Sequence, residues 1–454
     1  MSLACVLAQP DLAEVIVGFI SCPYAAIAFL KLLPSDCLSD ALRSFLALAA
    51  ELPPPQLWPR LRASITLSPG GAALASAALS EVGMLEIDTW RPTLLTPRGV
   101  APVAVSAPVS LDVAQHWHGR RLHEVALTLQ STDTADAMAA VVAWLRTAPQ
   151  LRVLHLRHEA DVVDSHGLAV LWDAVVASGV TELDIANDTH DAFSEAMYAH
   201  LAMWLATGRA RRLQLTALHV SSPEAVHRLV GCIQACTSLQ SLDISYMDDV
   251  AAALFQAPLP LSLRKLSLNI ARIRTADDLC AAVTGSRLTH LVLVNRTRQL
   301  GPTYDKTMAK VLGVLPAITS LEHVELTYIS MGPRCRAALV LALPQLPSLQ
   351  LLSLTCFGST PHYLPSWLLP VLSRCPTLHR IALRNVHWSA ADAADWPSAS
   401  SVRHLCVRGC KFEGAIPPAT VCCQDPAAPH SACHLGDPGR SVHGVDAGAT
   451  AAYL

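Results

Sequence analysis

The chain has 454 residues, 52% apolar and 15% charged, so it carries ample material for a core and falls outside the globally disordered class. Its 33 Lys and Arg against 36 Asp and Glu leave a formal charge of −3, which supplies no global field for capturing nucleic acid or an anionic membrane. Any electrostatic recognition must then be local.

The first 62 residues are a string of short helices. Leu12, Val15, Ile16, Phe19 and Ile20 recur at the spacing of one helix face after Pro10 and Asp11. Pro23 interrupts that pattern, because proline loses a helical hydrogen bond and clashes with the preceding turn. A second helix is expected over residues 24–33 and a third over 39–51, where Leu42, Phe45, Leu46 and Ala49 share a face. Pro53, Pro54 and Pro55 close the segment. So little chain cannot bury all its apolar surface alone. The helices either cap the open end of the larger core built by the rest of the chain or present a face to another protein.

Residues 63–120 carry only traces of a pattern. Ile65 to Leu67 and the spaced Val82, Leu85 and Ile87 look like eroded strands, with a helical piece over 74–79. Residues 91–110 are an irregular loop or a degenerate repeat. His116 and His118 lack a third ligand, and are expected as loop residues with no metal.

From residue 121 to 412 one phrase recurs, apolar-x-x-apolar-x-apolar. It starts at Leu122, Leu151, Val180, Ala210, Leu239, Leu263, Leu288, Leu321, Leu349, Leu378 and Val402, eleven times at a mean spacing of 28 residues. That period lies in the range of leucine-rich repeats. Each phrase holds an alternating strand: Leu154 and Leu156 point one way, Val153 and His155 the other. Between phrases, residues 136–145, 167–177, 192–205, 224–236, 277–283, 306–315, 335–343 and 367–372 have helical spacing. Ser222-Pro223 and Thr275 to Asp278 mark two helix starts. Strand, turn, helix, turn predicts a right-handed α/β solenoid with parallel inner strands and outer helices, a horseshoe with a small helical segment at its N-terminal end.

This ladder resembles the ribonuclease-inhibitor-like class of leucine-rich repeats over roughly 290 residues. It departs at the polar ladder position three places after the third anchor, where the class carries Asn or Cys. Here that place holds residues such as Gln130, Met247, Phe357 and Val386, and only Cys410 matches. Irregular turns, or apolar side chains enlarging the core, are the expected consequence. Pro10 to Ile20 followed by Pro23 resembles the opening of an F-box, whose helices bind the adaptor subunit of a ubiquitin ligase. The later Cys and Trp pair of that family is not at its usual place. The resemblance implies adaptor contacts by Leu12, Val15, Ile16, Phe19 and Ile20.

If the strands pair in register, their outward residues form one concave surface. His155, Arg157, Asp184, Arg212, Asp243 and Lys265 occupy its middle, and Arg380, Arg384 and Arg408 make its last two repeats basic. Such a patch suits a carboxylate-rich or phosphorylated segment. No glycine-rich phosphate loop, HExxH, GxSxG or paired CxxC occurs, so neither an enzyme nor a cofactor is expected. The function implied is a protein-interaction scaffold. It takes one of two forms: the substrate-recognition subunit of a ubiquitin ligase, or a stoichiometric regulator of the inhibitor or GTPase-activator type whose N-terminal helices only cap the array.

Residues 413–454, rich in Ala, Pro, Gly, Cys and His, are expected to be a disordered tail. Cys232, Cys236, Cys280, Cys335 and Cys375 sit singly in apolar stretches, the signature of free thiols in a reducing compartment. Met1 to Pro10 lacks the basic residues of a secretory leader, and proline interrupts both long uncharged runs, 15–30 and 337–373. A soluble cytoplasmic or nuclear protein, without membrane or nucleic-acid partners, is the expectation.

Overall fold

The structure is a computed structural model that describes residues 17, 20, 23–52, 57, 61–63, 69–82, 85–87, 103–108, 122–129, 135–158, 165–187, 192–193, 195–216, 219–220, 222–245, 247–270, 276–295, 302–328, 331–356, 362–363, 365–388, 401–402, 404–408, 411–412 and 420–422. The chain divides into two compact units, one comprising Met1–Val103 with Cys423–Leu454 and the other Ala104–Cys422.

In the first unit, α1 (Pro23–Leu32) and α2 (Asp40–Leu48) stand close to the expected second and third helices. Ser39 caps α2, its hydroxyl accepting from the Leu42 amide at 3.2 Å, and Asp40 sits in the first turn where the helix dipole favours an acid. Leu30, Leu42, Phe45 and Leu48 are buried. Strand β1 (Leu61–Ala63) pairs in parallel with β2 (Leu85–Ile87), joined through α3 (Pro69–Val82), which packs on α2. The helical piece expected over 74–79 is thus more than twice as long, with 14 residues, and Val82 ends it instead of starting a strand. Leu12, Val15, Ile16 and Phe19 lie outside the described residues. Ile20 is half-buried, and its amide donates to the Val17 carbonyl at 2.9 Å.

The second unit is a right-handed α/β leucine-rich-repeat solenoid built on one open parallel sheet. Its first strands are β3 (Val103–Pro108), β4 (Leu122–Leu129), β5 (Val153–His158) and β6 (Glu182–Asn187), with α4 (Ala135–Thr147) and α5 (Ser165–Ala177) between them. After β6 come a short strand β7 (Ala192–Phe193), α6 (Glu195–Ala206), β8 (Arg212–Thr216), a short strand β9 (His219–Val220) and α7 (Pro223–Ala235). Strand β10 (Ser241–Asp243), α8 (Asp248–Leu254), β11 (Lys265–Asn269), α9 (Ala276–Val283) and β12 (His290–Val294) follow. The next turns are α10 (Pro302–Val314), β13 (His323–Thr327), α11 (Pro333–Ala342) and β14 (Leu351–Thr355). Then come β15 (His362–Tyr363), α12 (Pro365–Leu372), β16 (Arg380–Arg384), β17 (Val386–Trp388), β18 (His404–Arg408), β19 (Lys411–Phe412) and β20 (Thr420–Cys422).

Sheet order follows chain order from β3 to β20, skipping only the short strands β7, β9, β15, β17 and β19, which pair among themselves. Each repeat enters the sheet the same way. The amides of Arg211, Gln240, Arg264, Thr289, Glu322, Gln350 and His379 each donate to the equivalent carbonyl of the repeat before, at 2.7–3.0 Å. The phrase anchors align strand by strand: Leu154 opposite Leu183, Leu266 opposite Leu291, Leu352 opposite Ile381. Those anchors face the helices and are fully buried, among them Leu154, Leu213, Leu242, Leu266, Leu293, Leu352 and Ile381.

Three elements differ from the sequence expectation. Ala192 and Phe193 form β7 against β9, so α6 starts only at Glu195. Helix α8 occupies the short 239-to-263 interval, and its seven residues, burying Val250, Ala251 and Leu254, are too few to show a period. The ladder was expected to end at residue 412, yet β20 adds a strand in register with β18, Cys422 opposite Cys406, within the stretch expected as a tail. At the ladder position, Met247 and Val386 are buried, so these two add to the core as expected, while Phe357 lies outside the described residues.

Candidate interaction face

The face of the sheet away from the helices is organised in rows, because parallel pairing places equivalent residues of successive repeats side by side. One row runs Lys265, His290, His323, Leu351, Arg380 and His404 across β11 to β18. A second runs Asp184, Gln214, Asp243 and Ser267 across β6 to β11. In a third, Thr355, Arg384 and Arg408 stand in register.

At the N-terminal end the residues bond to one another. His155 is 7% exposed: its Nδ1 lies 3.0 Å from Asp184 Oδ2 and its Nε2 3.1 Å from Glu124 Oε1. Burial alone would disfavour the imidazolium, but hydrogen bonds to Asp184 and Glu124 and their charges outweigh it, and the histidine is pushed up to about 9. His155 and Asp184, expected as partner contacts, therefore act as a clamp across β4, β5 and β6. Arg212 lies 3.7 Å from the Glu182 carboxylate and donates to Gln214 Oε1 at 3.1 Å. Asp243 accepts from the amide of Ser245 at 3.0 Å and from its hydroxyl, which also meets Ser267 Oγ at 3.0 Å. Arg157 is half-exposed.

The C-terminal half differs in charge. Across β11 to β18, Lys265, Arg380, Arg384 and Arg408 occupy open-face positions against the single acid Glu325, to which Thr327 donates at 3.0 Å. His290 and His323 meet edge to face with ring centroids 4.0 Å apart. Arg380 is half-buried, with its Nε shielded and lacking a hydrogen-bond partner. The middle row here is closed to solvent except at the half-buried Glu325: Ser267, Val292, Ser353, Ala382 and Cys406 are all buried. Among the described residues no group of three His, Cys, Asp or Glu is arranged to hold a metal, and no helix is long and apolar enough to cross a membrane.

One feature escaped the sequence reading. A serine one place before the phrase reaches back to the preceding repeat: Ser238 to the Ala210 carbonyl at 2.8 Å, Ser320 to Leu288 at 2.8 Å and Ser401 to Leu378 at 2.7 Å. Ser262 and Ser348 reach the carbonyls of Cys236 and Thr319 at 3.2 and 3.0 Å. The signal was present as Ser followed by Leu or Val at five phrase starts.

No family model matches the chain, and no curated protein sequence does. Solved structures similar to it include the TLR13–ssRNA13 complex, at 13% identity and a TM-score of 0.37 over 76% of this chain. The chain spans about half (48%) the length of that structure. An internalin from Listeria monocytogenes matches at 13% identity and TM-score 0.29, over 66% of this chain and 84% of that one. The leucine-rich-repeat protein LegL7 from Legionella pneumophila matches at 13% and 0.39, over 68% and 89%.

Proposed function

We propose that the solenoid is a non-enzymatic scaffold that seats a protein partner across the open face of its sheet. The observation that carries this reading is the division of labour between the two faces: Leu, Val and Ile anchors fill the helix side, while the registered rows on the other are mostly charged and polar, with Val292, Leu351 and Ala382 among them. Repeated rows at strand spacing offer a long surface whose chemistry changes stepwise, which suits an extended partner. The contacts proposed are Arg157, Arg212, Asp243, Lys265, Arg380, Arg384 and Arg408. Partner capture by the full chain is compared with capture by a variant carrying Arg380→Glu and Arg384→Glu. An unchanged affinity overturns the assignment of the partner to this end of the face.

The more specific form is the substrate-recognition subunit of a ubiquitin ligase, supported by the F-box resemblance of residues 10–23. The competing form is a stoichiometric regulator in which the N-terminal helices are a cap, supported by the burial of Leu30, Leu42, Phe45 and Leu48. Binding of the full chain to a purified F-box adaptor subunit decides between them: a stable complex favours the first, none the second. A cytoplasmic or nuclear location is proposed with either form, in keeping with eight described cysteines that are free thiols, seven of them buried.

A further inference from the structure

The row from Lys265 to His404 has a property that the scaffold reading does not require. Its residues are of cationic or imidazole type at every position but Leu351, and register sets their positions one strand spacing apart over six strands. We infer that this row is a binding site for an extended acidic peptide, and that the peptide draws a proton onto His323 as it binds. The inference rests on the open-face reading and names the chemistry of its partner.

Three observations point the same way. Charge complementarity is the first: four cationic positions against one carboxylate across β11 to β18, in a chain whose formal charge is −3. The second is the shielded Arg380 Nε, a donor whose desolvation is offset only when an acceptor reaches it. The third is the setting of His323. It faces the ring of His290 on β12, Leu351 on β14, Lys265 and Arg380 in its own row, and Glu322 and Glu325 on its own segment. Burial holds this histidine below its ordinary value. Lys265 and Arg380 add to that, against the opposing pull of Glu322. A carboxylate placed between Lys265 and Arg380 offsets their contribution and, beside Glu322, draws the ring toward the imidazolium against the effect of burial. Imidazolium formation and peptide binding then favour each other, as linkage requires.

The dimensions fit. Five strand spacings of about 4.8 Å make a row of roughly 24 Å, the length of about seven extended residues. Alternate side chains of such a peptide fall on one side about 7 Å apart, so several carboxylates face the row at once.

The sign comes from the direction of the shift. In the free protein His323 charges at a lower pH than an ordinary imidazole, because burial disfavours the cation. In the complex it charges at a higher pH, so affinity rises as pH falls through the interval between the two values and levels off below it.

The test uses the full chain and a fluorescent glutamate peptide of about eight residues, with a glutamine peptide of equal length as control. Anisotropy should show the glutamate peptide binding about fivefold tighter at about pH 5.5 than at about pH 8, a change within reach of one linked proton. Calorimetry in two buffers of different ionisation enthalpy should show proton uptake by the wild-type protein. His323→Gln should bind with little pH dependence, and the pair Lys265→Gln with Arg380→Gln should lose most binding at either pH. A wild-type affinity that is flat in pH with no proton uptake overturns the inference whether or not the variants fold. So does equal binding of the glutamine peptide, or binding of a phosphate-rich RNA oligonucleotide in place of the peptide. The scaffold reading stands apart from these outcomes, since it fails only if substitutions anywhere on the open face leave partner capture unchanged.

Discussion

His155 and Asp184 meet across neighbouring strands, Nδ1 to Oδ2 at 3.0 Å, while the other nitrogen of the same ring lies 3.1 Å from Glu124. One cation between two acids, largely removed from water, holds β4, β5 and β6 in register. An isolated buried charge would be costly, and this one persists because both ring nitrogens are satisfied.

The clamp predicts a pH-dependent stability. The folded value of about 9 stands above the ordinary 6.5, so the contribution is complete below about pH 6.5 and disappears as the pH rises through 9. A shift of that size corresponds to about 3 kcal/mol. Urea unfolding of the wild-type chain should therefore lose about that much stability between pH 6.5 and 9 relative to His155→Gln. Parallel pH profiles for the two proteins would show that the charge on His155 contributes nothing.

Serine hydroxyls at the strand entrances make a second prediction, graded by burial. Ser238 is buried and is the side-chain donor to the Ala210 carbonyl, so Ser238→Ala should cost about 1–3 kcal/mol by leaving a shielded carbonyl unpaired. The bond from Ser348 to the Thr319 carbonyl is exposed, water can replace it, and Ser348→Ala should cost about 0.5 kcal/mol or less. Equal losses in thermal unfolding would remove burial as the explanation.

Thiol chemistry should track shielding too. Burial pushes the Cys375 thiol up to about 11 and drives Cys335 higher still, whereas Cys232 is partly exposed. Under native conditions, alkylation followed by mass spectrometry should modify Cys232 well before either buried thiol. Early labelling of Cys335 would mean that α11 opens locally.

The solenoid was legible because its signal is periodic: Leu154, Leu183 and Leu213 announce strands by their spacing, and parallel register then fixes what stands opposite what. The open face was legible in outline for the same reason. Its chemistry was not, since spacing places His155 beside Asp184 without showing that Glu124 reaches it diagonally from two strand positions away. His290 and His323 passed as two among nineteen histidines until register brought their rings together. Short elements such as α8, β7 and β20 lay below the length at which periodicity can speak.

The last prediction concerns a cap borrowed from a neighbouring repeat. Helix α11 begins at Pro333 after Gly332, which offers no side-chain acceptor, and Asp305 of α10 takes that place. Its carboxylate accepts from the Arg334 amide at 3.2 Å and the Cys335 amide at 3.1 Å. Partial burial works to raise the Asp305 pKa, but the hydrogen bonds from Cys335 and Arg334 outweigh it and hold the group below its ordinary value. Its contribution is thus present above the usual carboxylate range and fades as acid protonates it. Asp305→Ala should cost about 1 kcal/mol, the usual size of a lost N-cap. Gly332 has an ordinary φ of −64°, so an alanine there is free of backbone strain, yet its Cβ would fall inside the Asp305 carboxylate. Gly332→Ala should therefore destabilise by a similar amount, by expelling the carboxylate. Because both substitutions remove the same cap, the double variant should lose little more than either single one. Additive losses in urea unfolding would show that the two residues act independently and that Asp305 does not cap α11.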